Sequence, residues 1–343
     1  MTTKMGISGF GRIGMTLQRI LLTDSMEKKD IELLRKEGFD VVERKNLSEA
    51  EISEEVKGFN AIITRNTTPV TRKILESGNR LKLVARAGVG FDNIDVGAAT
   101  EKGIVVMNVP AESTIAVAEH AIGIILAAIR KIPSANNSLR GKNWGRKKFI
   151  GEELYGKTLG IIGFGRIGSK VAERAKAFGM VIVTYDPYIP EEKTKNAGVE
   201  LLEGLDELLR RADIITLHTP LTEETKGMIG EREINKMKAG TLLVNTARGG
   251  IIDENALYAA LKKGKVAGAA LDVFLEEPPF GSRILEIENV VVTPHIAGYS
   301  SRAQRNISAA VARQVIKAFR EGTYENQVTM TMQPLTRRKQ NDQ

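Results

Sequence analysis

Cysteine is missing from all 343 residues of the chain, and its absence closes off a good deal of chemistry. Disulfides, thiolate nucleophiles, cysteine-ligated zinc and iron–sulfur clusters are excluded, which leaves hydroxyls, carboxylates, cations, imidazole or a bound cofactor to carry catalysis. Histidine is scarce. His120, His218 and His295 are the only three, and they lie apart without metal-ligand spacing, so no metal site is expected. Aromatic residues make up 5%, too few to interleave with basic residues in a nucleic-acid-binding face, and no nucleic-acid partner is expected. Long hydrophobic runs are lacking as well. The most apolar helical stretch, Thr114 to Ile132, carries Glu119, His120 and Arg130 and is short for a membrane span. Met1 to Gly14 has no basic region followed by an apolar one. The expectation is a soluble, cytoplasmic protein with no membrane partner.

What is present is ample for a folded protein. With 42% hydrophobic and 27% charged residues, the length suggests two domains of about 100–200 residues, each able to bury a core. The net charge is +8, from 50 basic and 42 acidic residues, with local clusters at Arg140, Lys142, Arg146, Lys147 and Lys148 and at Arg337, Arg338 and Lys339. Such a surplus suits an anionic small molecule as well as a polyanion. From Arg19 onward short β-rich runs (Ile20 to Leu22, Val41-Val42, Asn60 to Thr64, Leu81 to Ala85, Ile104 to Met107) alternate with helical patterns. The alternation continues through Leu159 to Ile162, Val181 to Tyr185, Ile214 to Leu217, Thr241 to Asn245, Val266 to Leu271 and Val290 to Thr293. Parallel crossovers need about a dozen residues and helices supply them, so the fold class is α/β, with two doubly wound parallel-sheet domains of Rossmann or flavodoxin type and a cleft between them. The long helix from Thr114 and the segment after Ala297 are expected to carry the chain between the domains, which makes the first discontinuous.

Three segments carry phosphate-binding patterns, and context separates them. Gly9 to Gly14 reads GFGRIG, and its surroundings resemble the start of glyceraldehyde-phosphate dehydrogenases, which need a catalytic cysteine absent here. The strand expected at Ile20 leaves barely one helical turn after it, so this segment is read as an appended arm. Gly151 to Thr158 fits the P-loop pattern but is followed by a strand where a helix should stand, and it is read as a chance match. The third, Gly163-Phe164-Gly165-Arg166-Ile167-Gly168, follows a strand, opens a helical stretch from Ser169 to Phe178, and is succeeded by a second strand ending at Asp186. Gly163 serves the tight turn, Gly165 the approach of pyrophosphate, and Gly168 the close packing of helix on strand. Asp186 can accept from ribose hydroxyls and repels a 2′-phosphate, which favours NAD over NADP.

Downstream, three loops are expected at the C-terminal ends of strands, and each delivers one ionisable group: Arg248 in NTARGG, Glu277 in DVFLEEPP and His295 in TPHIAG. With ARAGVGFDNID (Ala85 to Asp95) and GKNWGRKKFIGEELYGKTLGIIGFGRIG (Gly141 to Gly168), these segments resemble the D-isomer-specific 2-hydroxyacid dehydrogenases from about Arg19 to about Val328. Within that family they are most similar to the branch acting on 3-phosphoglycerate.

The resemblance implies roles. His295 would be the acid/base, Glu277 the carboxylate that orients its ring, and Arg248 the cation that grips the substrate carboxylate. Asp272 would meet the nicotinamide carboxamide, with Thr219 and Thr246 as further NAD contacts. Arg65 and Arg86 would hold a distal phosphate and the Val89-Gly90 backbone a carboxylate, so the implied substrate is a phosphorylated hydroxy acid. Residues 1–18 would be an arm, 19–108 with 298–330 a substrate-binding domain, 109–297 an NAD-binding domain and 331–343 a disordered tail. His120 and His218 are read as structural or cofactor-adjacent, and Asp253 and Glu254 as capping carboxylates at a helix N-terminus. The Arg140 to Lys148 cluster with Trp144 resembles a segment that reaches a neighbouring subunit's site in some members, and a homodimer or homotetramer is expected. Val89 and Ser113 stand where threonine and asparagine are common in the phosphoglycerate branch. A glyoxylate or hydroxypyruvate reductase is therefore a competing expectation, an NAD-sensing corepressor-like protein is another because this fold has been reused in that way, and no C-terminal regulatory domain is expected after Val328.

Overall fold

The computed structural model describes residues 17–65 and 68–328. The first GFGRIG segment, nearly all of the expected arm and the expected tail lie outside the described residues. The described chain forms two compact units, one running to Val109 and resuming at Ser308, the other spanning Pro110–Ile307.

The strands in chain order are β1 (Arg19–Leu22), β2 (Asp40–Glu43), β3 (Ala61–Thr64), β4 (Leu83–Arg86), β5 (Val105–Asn108), β6 (Thr158–Ile162) and β7 (Val181–Tyr185). They continue as β8 (Glu200–Leu201), β9 (Ile214–Leu217), β10 (Thr241–Asn245), β11 (Val266–Leu271), β12 (Val290–Val292) and β13 (Gln327–Val328). In the first unit the order is β13-β5-β4-β3-β1-β2, parallel throughout except that β13 runs antiparallel to β5. In the second the order is β12-β11-β10-β9-β6-β7-β8, all parallel. These are the flavodoxin-like and Rossmann-like windings expected from the alternation, and strands such as Ala61–Thr64 and Thr241–Asn245 are buried end to end because helices cover both faces.

In the second unit, strand order reverses between β6 and β9, and doubly wound sheets bind ligands at the C-terminal ends of such neighbours. Both the GFGRIG turn after β6 and Thr219 after β9 stand at that point. The helix Thr114–Ile129 buries Val117, Ala118, Ala121, Ile122, Ile124 and Ile125 between the helix Arg166–Ala177 and strands β10, β11 and β12, which explains its nearly uniform apolar character. It belongs wholly to the second unit. The chain crosses between units before it, at Val109–Pro110, and returns inside the helix Ser301–Glu321, at Ile307–Ser308, rather than through the Thr114 helix and at Ala297.

Candidate active site and dinucleotide cradle

The turn after β6 is shaped by glycine where no side chain fits. Gly163 has φ +93°, and a Cβ there would lie 2.7 Å from the His218 carbonyl oxygen. A Cβ on Gly168 would lie 2.1 Å from the Gly163 oxygen, so the helix Arg166–Ala177, which starts with Arg166 and Ile167, sits directly on the turn. Gly165 differs. A Cβ there would touch nothing, which leaves open space over the helix N-terminus, where free N–H groups attract an anion. Phe164 buries its ring in the core while its N–H donates to Asp186 Oδ2 at 2.8 Å, and Asp186 Oδ1 accepts from the Tyr188 N–H at 2.9 Å.

Two buried hydroxyls at this edge, Thr219 Oγ1 and Thr246 Oγ1, have no hydrogen-bond partner among the described residues. Leaving such a group unpaired costs about 1–3 kcal/mol, so polar ligand atoms at both places are what the arrangement calls for. Open space at Gly165, a helix N-terminus, an acidic residue at the end of β7 and two waiting hydroxyls together fit a dinucleotide. His218 lies beside them, with Nε2 3.0 Å from Thr216 Oγ1, and burial of the imidazole pushes it down to about 3, so it stays neutral.

The residues expected to carry the chemistry come from the next loops. After β10, the Asn245 side chain folds its own loop by accepting from the Ala247 N–H at 2.9 Å and donating to the Arg248 carbonyl at 2.8 Å, while Arg248 Nη1 donates to the Ala247 carbonyl at 2.6 Å. A Cβ on Gly249 would lie 1.7 Å from the Phe274 oxygen, so this loop meets the Glu277 loop backbone to backbone. His295 has φ +52°, in the left-handed region that non-glycine residues seldom occupy. Its Nδ1 is 2.7 Å from Glu277 Oε2, and Glu277 Oε1 accepts from the Phe274 N–H at 3.2 Å. Burial pushes the Glu277 carboxyl up, but the His295 hydrogen bond and charge and the Phe274 N–H outweigh it and hold the group below its ordinary 4.5. An ionised Glu277 only accepts, so the proton between the two sits on Nδ1 and Nε2 is left for chemistry.

Residues 122–297, more than half of the chain, match the family model described as "D-isomer specific 2-hydroxyacid dehydrogenase, NAD binding domain". The chain belongs to this family. It is 50% identical over 312 residues to the D-3-phosphoglycerate dehydrogenase of Methanocaldococcus jannaschii, covering 91% of this chain and 59% of that relative. This chain therefore spans about three fifths of the length of that curated relative. Among solved structures, a glyoxylate reductase from Paecilomyes thermophila is 33% identical with a TM-score of 0.85, covering 92% of this chain and 99% of the other. The NAD+-bound 3-phosphoglycerate dehydrogenase of Entamoeba histolytica is 31% identical with a TM-score of 0.78, covering 92% and 99%.

Other expected residues of this family member fall in distinct places. Asp272 has no exposed surface. Its Oδ1 accepts from Thr293 Oγ1 at 2.5 Å and the Ile296 N–H at 2.8 Å, and its Oδ2 accepts from the Ala297 N–H at 2.8 Å. The carboxylate is therefore turned to its own chain, which ties down the His295 loop. Burial alone would push it up, but His120, Thr293 and the two N–H groups outweigh that and hold it below its ordinary 3.8. In the first unit, Arg86 is buried, packs against Gly88 and donates from Nη1 to the Ala87 carbonyl at 3.1 Å. Arg65 is fixed through its backbone, its N–H bonding Asp24 Oδ2 at 2.8 Å and its carbonyl accepting from Asn93 Nδ2 at 2.8 Å. The Val89 carbonyl accepts from Asn108 Nδ2 at 2.6 Å, and Gly90 follows it.

Asp253 caps its helix as expected, accepting from the Asn255 and Ala256 N–H groups. Glu254 does not cap. It reaches across to accept from the Leu275 N–H and from Ser282 Oγ, both at 2.7 Å, and so braces the loop that carries Glu277. The supporting roles of Asn245, Glu254 and Thr293 escape a reading of the sequence. Of the basic cluster, Arg140 ends the helix Ile132–Arg140 and Arg146, Lys147 and Lys148 lie in the short 3-10 turn Arg146–Phe149, beside an exposed Trp144 whose ring lies 6.0 Å from the Arg146 guanidinium. Among the described residues, no group of three or more acidic or histidine side chains is placed to hold a metal ion, and no helix is long and apolar enough to cross a membrane.

Proposed function

We propose that the chain is an NAD-dependent dehydrogenase that oxidises 3-phospho-D-glycerate to 3-phosphohydroxypyruvate. The observation that carries the reading is the His295–Glu277 pair at 2.7 Å, on the same sheet edge as a dinucleotide cradle in a chain 50% identical to a D-3-phosphoglycerate dehydrogenase.

NAD, when bound, supplies the hydride acceptor for C2. His295 takes the proton of the C2 hydroxyl at Nε2 and returns it in the reverse direction, and Glu277 favours the imidazolium that forms. Arg248 grips the carboxylate with its planar fork and polarises the C2 oxygen. Asp186 accepts from the ribose hydroxyls, Thr219 and Thr246 use their unpaired hydroxyls on the cofactor, and Gly163, Gly165 and Gly168 with Arg166 and Ile167 shape the phosphate cradle. Asp272 serves by holding the His295 loop.

On the substrate side we assign Arg65 to the distal phosphate and the Val89-Gly90 backbone to the carboxylate, with Arg86 supporting that loop. The unit that ends at Val109 and resumes at Ser308 is thereby the substrate-binding unit, and Pro110–Ile307 the NAD-binding one. A cytoplasmic homodimer or homotetramer belongs to the same reading, and light scattering measures its size. NAD reduction with 3-phosphoglycerate, glycerate, glycolate and D-lactate in parallel tests the substrate. The phosphorylated acid is expected to give the highest kcat/KM. Turnover of an unphosphorylated acid with none of 3-phosphoglycerate refutes the assignment.

A further inference from the structure

We propose that His120 is a positioning residue for the acid/base histidine, acting through Thr293 and the buried Asp272 carboxylate. The inference rests on the dehydrogenase reading above and concerns a residue that supplies neither proton nor charge to the substrate. His120 lies on the helix Thr114–Ile129, whose other positions are apolar apart from Thr114, Gly123 and Glu119, the last turned outward to Arg174 at 3.0 Å. Its Nε2 is 3.0 Å from Thr293 Oγ1 and 3.5 Å from Asp272 Oδ1.

Proton bookkeeping gives this contact a direction. Asp272 is ionised and can only accept, so at 2.5 Å the Thr293 hydroxyl must donate to it. A hydroxyl has one proton, so Thr293 can meet His120 only as an acceptor, and His120 must carry hydrogen on Nε2. The chain of donation runs from His120 to Thr293 to Asp272. That residue also receives the Ile296 and Ala297 N–H groups on its carboxylate and the His295 N–H, at 2.8 Å, on its backbone carbonyl. His295 is thus pinned from both sides to one residue, and His120 sets the orientation of the hydroxyl on the upstream side. An apolar side chain would fill the same position on the helix. It would leave the lone pair of Thr293 unmet and the hydroxyl free to turn away from Asp272.

The test compares His120→Leu with His120→Gln, whose amide N–H can occupy the place of Nε2. Losing one hydrogen bond that holds the loop is expected to lower kcat about three- to tenfold in the leucine variant, with KM for NAD within about twofold of wild type. The glutamine variant is expected to recover most of kcat. Imidazole nitrogen resonances of the three histidines provide an independent reading, with His120 expected to be protonated on Nε2. Wild-type kcat in the leucine variant, equal impairment of both variants, or a bare Nε2 on His120 each overturns the inference. If the wild-type chain reduces NAD with none of the acids, the functional reading fails and the His120 assignment stands or falls on the nitrogen spectrum.

Discussion

Asp272→Asn changes no volume, yet the structure makes it a severe substitution. The carboxylate serves three donors, Thr293 Oγ1 and the Ile296 N–H on one oxygen and the Ala297 N–H on the other. An amide offers only one oxygen. If that oxygen faces Thr293 and Ile296, the NH2 group points at the Ala297 N–H, donor against donor; reversed, two bonds are lost. At least one charge-assisted hydrogen bond worth about 1.5–3 kcal/mol disappears, and one buried donor is left without an acceptor, for a total of about 2–5 kcal/mol. In a unit of this size that corresponds to a fall in Tm of about 5–15 °C. The effect on turnover follows from geometry, since His295 rides on the loop, and misplacement of a reacting group by 1 Å costs about 10²-fold. We expect kcat to fall about 10- to 100-fold, measured as NADH formation, while the NAD dissociation constant from calorimetry moves little. A variant with kcat within twofold of wild type and an unchanged melt would refute the claim that Asp272 holds the catalytic loop.

Gly168→Ala places a methyl group 2.1 Å from the Gly163 oxygen, so the helix must withdraw from the turn. We expect about 1–3 kcal/mol of lost stability and at least a tenfold weaker NAD dissociation constant, and unchanged binding would mean that the turn is not the phosphate cradle. Asp186→Ser removes the charge that disfavours a 2′-phosphate, and the ratio of kcat/KM for NAD over NADP is expected to fall at least tenfold; a constant ratio counts against the ribose contact. Glu277 and Asp272 are both held below their ordinary values of 4.5 and 3.8, so both stabilise the fold when ionised. That contribution is present above those values and is lost as the pH falls through the depressed ones. Tm is therefore expected to be level above about pH 5 and to decline below it, less steeply in Glu277→Gln than in wild type, and identical slopes would refute the coupling.

Both windings were legible in the sequence because each long strand is a continuous apolar run bounded by turns and separated by helical patterns, as in TLLVN before Thr246 and VAGAAL before Asp272. The two-residue strands β8 and β13 were not. Glu200–Leu201 and Gln327–Val328 are too short to show any period, and pairing with β7 and β5 defines them. The return crossing within the helix Ser301–Glu321 was equally hidden, since helical periodicity runs unbroken through Ile307 and Ser308. At the site, Arg248 and His295 could be singled out as the ionisable groups of NTARGG and TPHIAG, whereas DVFLEEPP offers Asp272, Glu276 and Glu277, and only the family resemblance picks Glu277. What supports them depends on contacts remote in sequence. His120 and Thr293 lie 173 residues apart, and no local pattern joins them. Glu254 shows the converse error, a residue whose position suits a helix cap but whose side chain is used across space on Leu275 and Ser282.

The backbone of His295 sets stability against activity at a single position. A residue at φ +52° without glycine's freedom sits about 1–2 kcal/mol above a relaxed conformation, and asparagine or glycine would rest there more easily. Relief of that strain is set against the 2.7 Å bond to Glu277, which glycine would lose outright. A library screened by melting temperature at His295 would therefore read the difference between the relaxed backbone and the orphaned Glu277 carboxylate, and, on the reading that His295 is the acid/base, would be blind to the turnover lost either way.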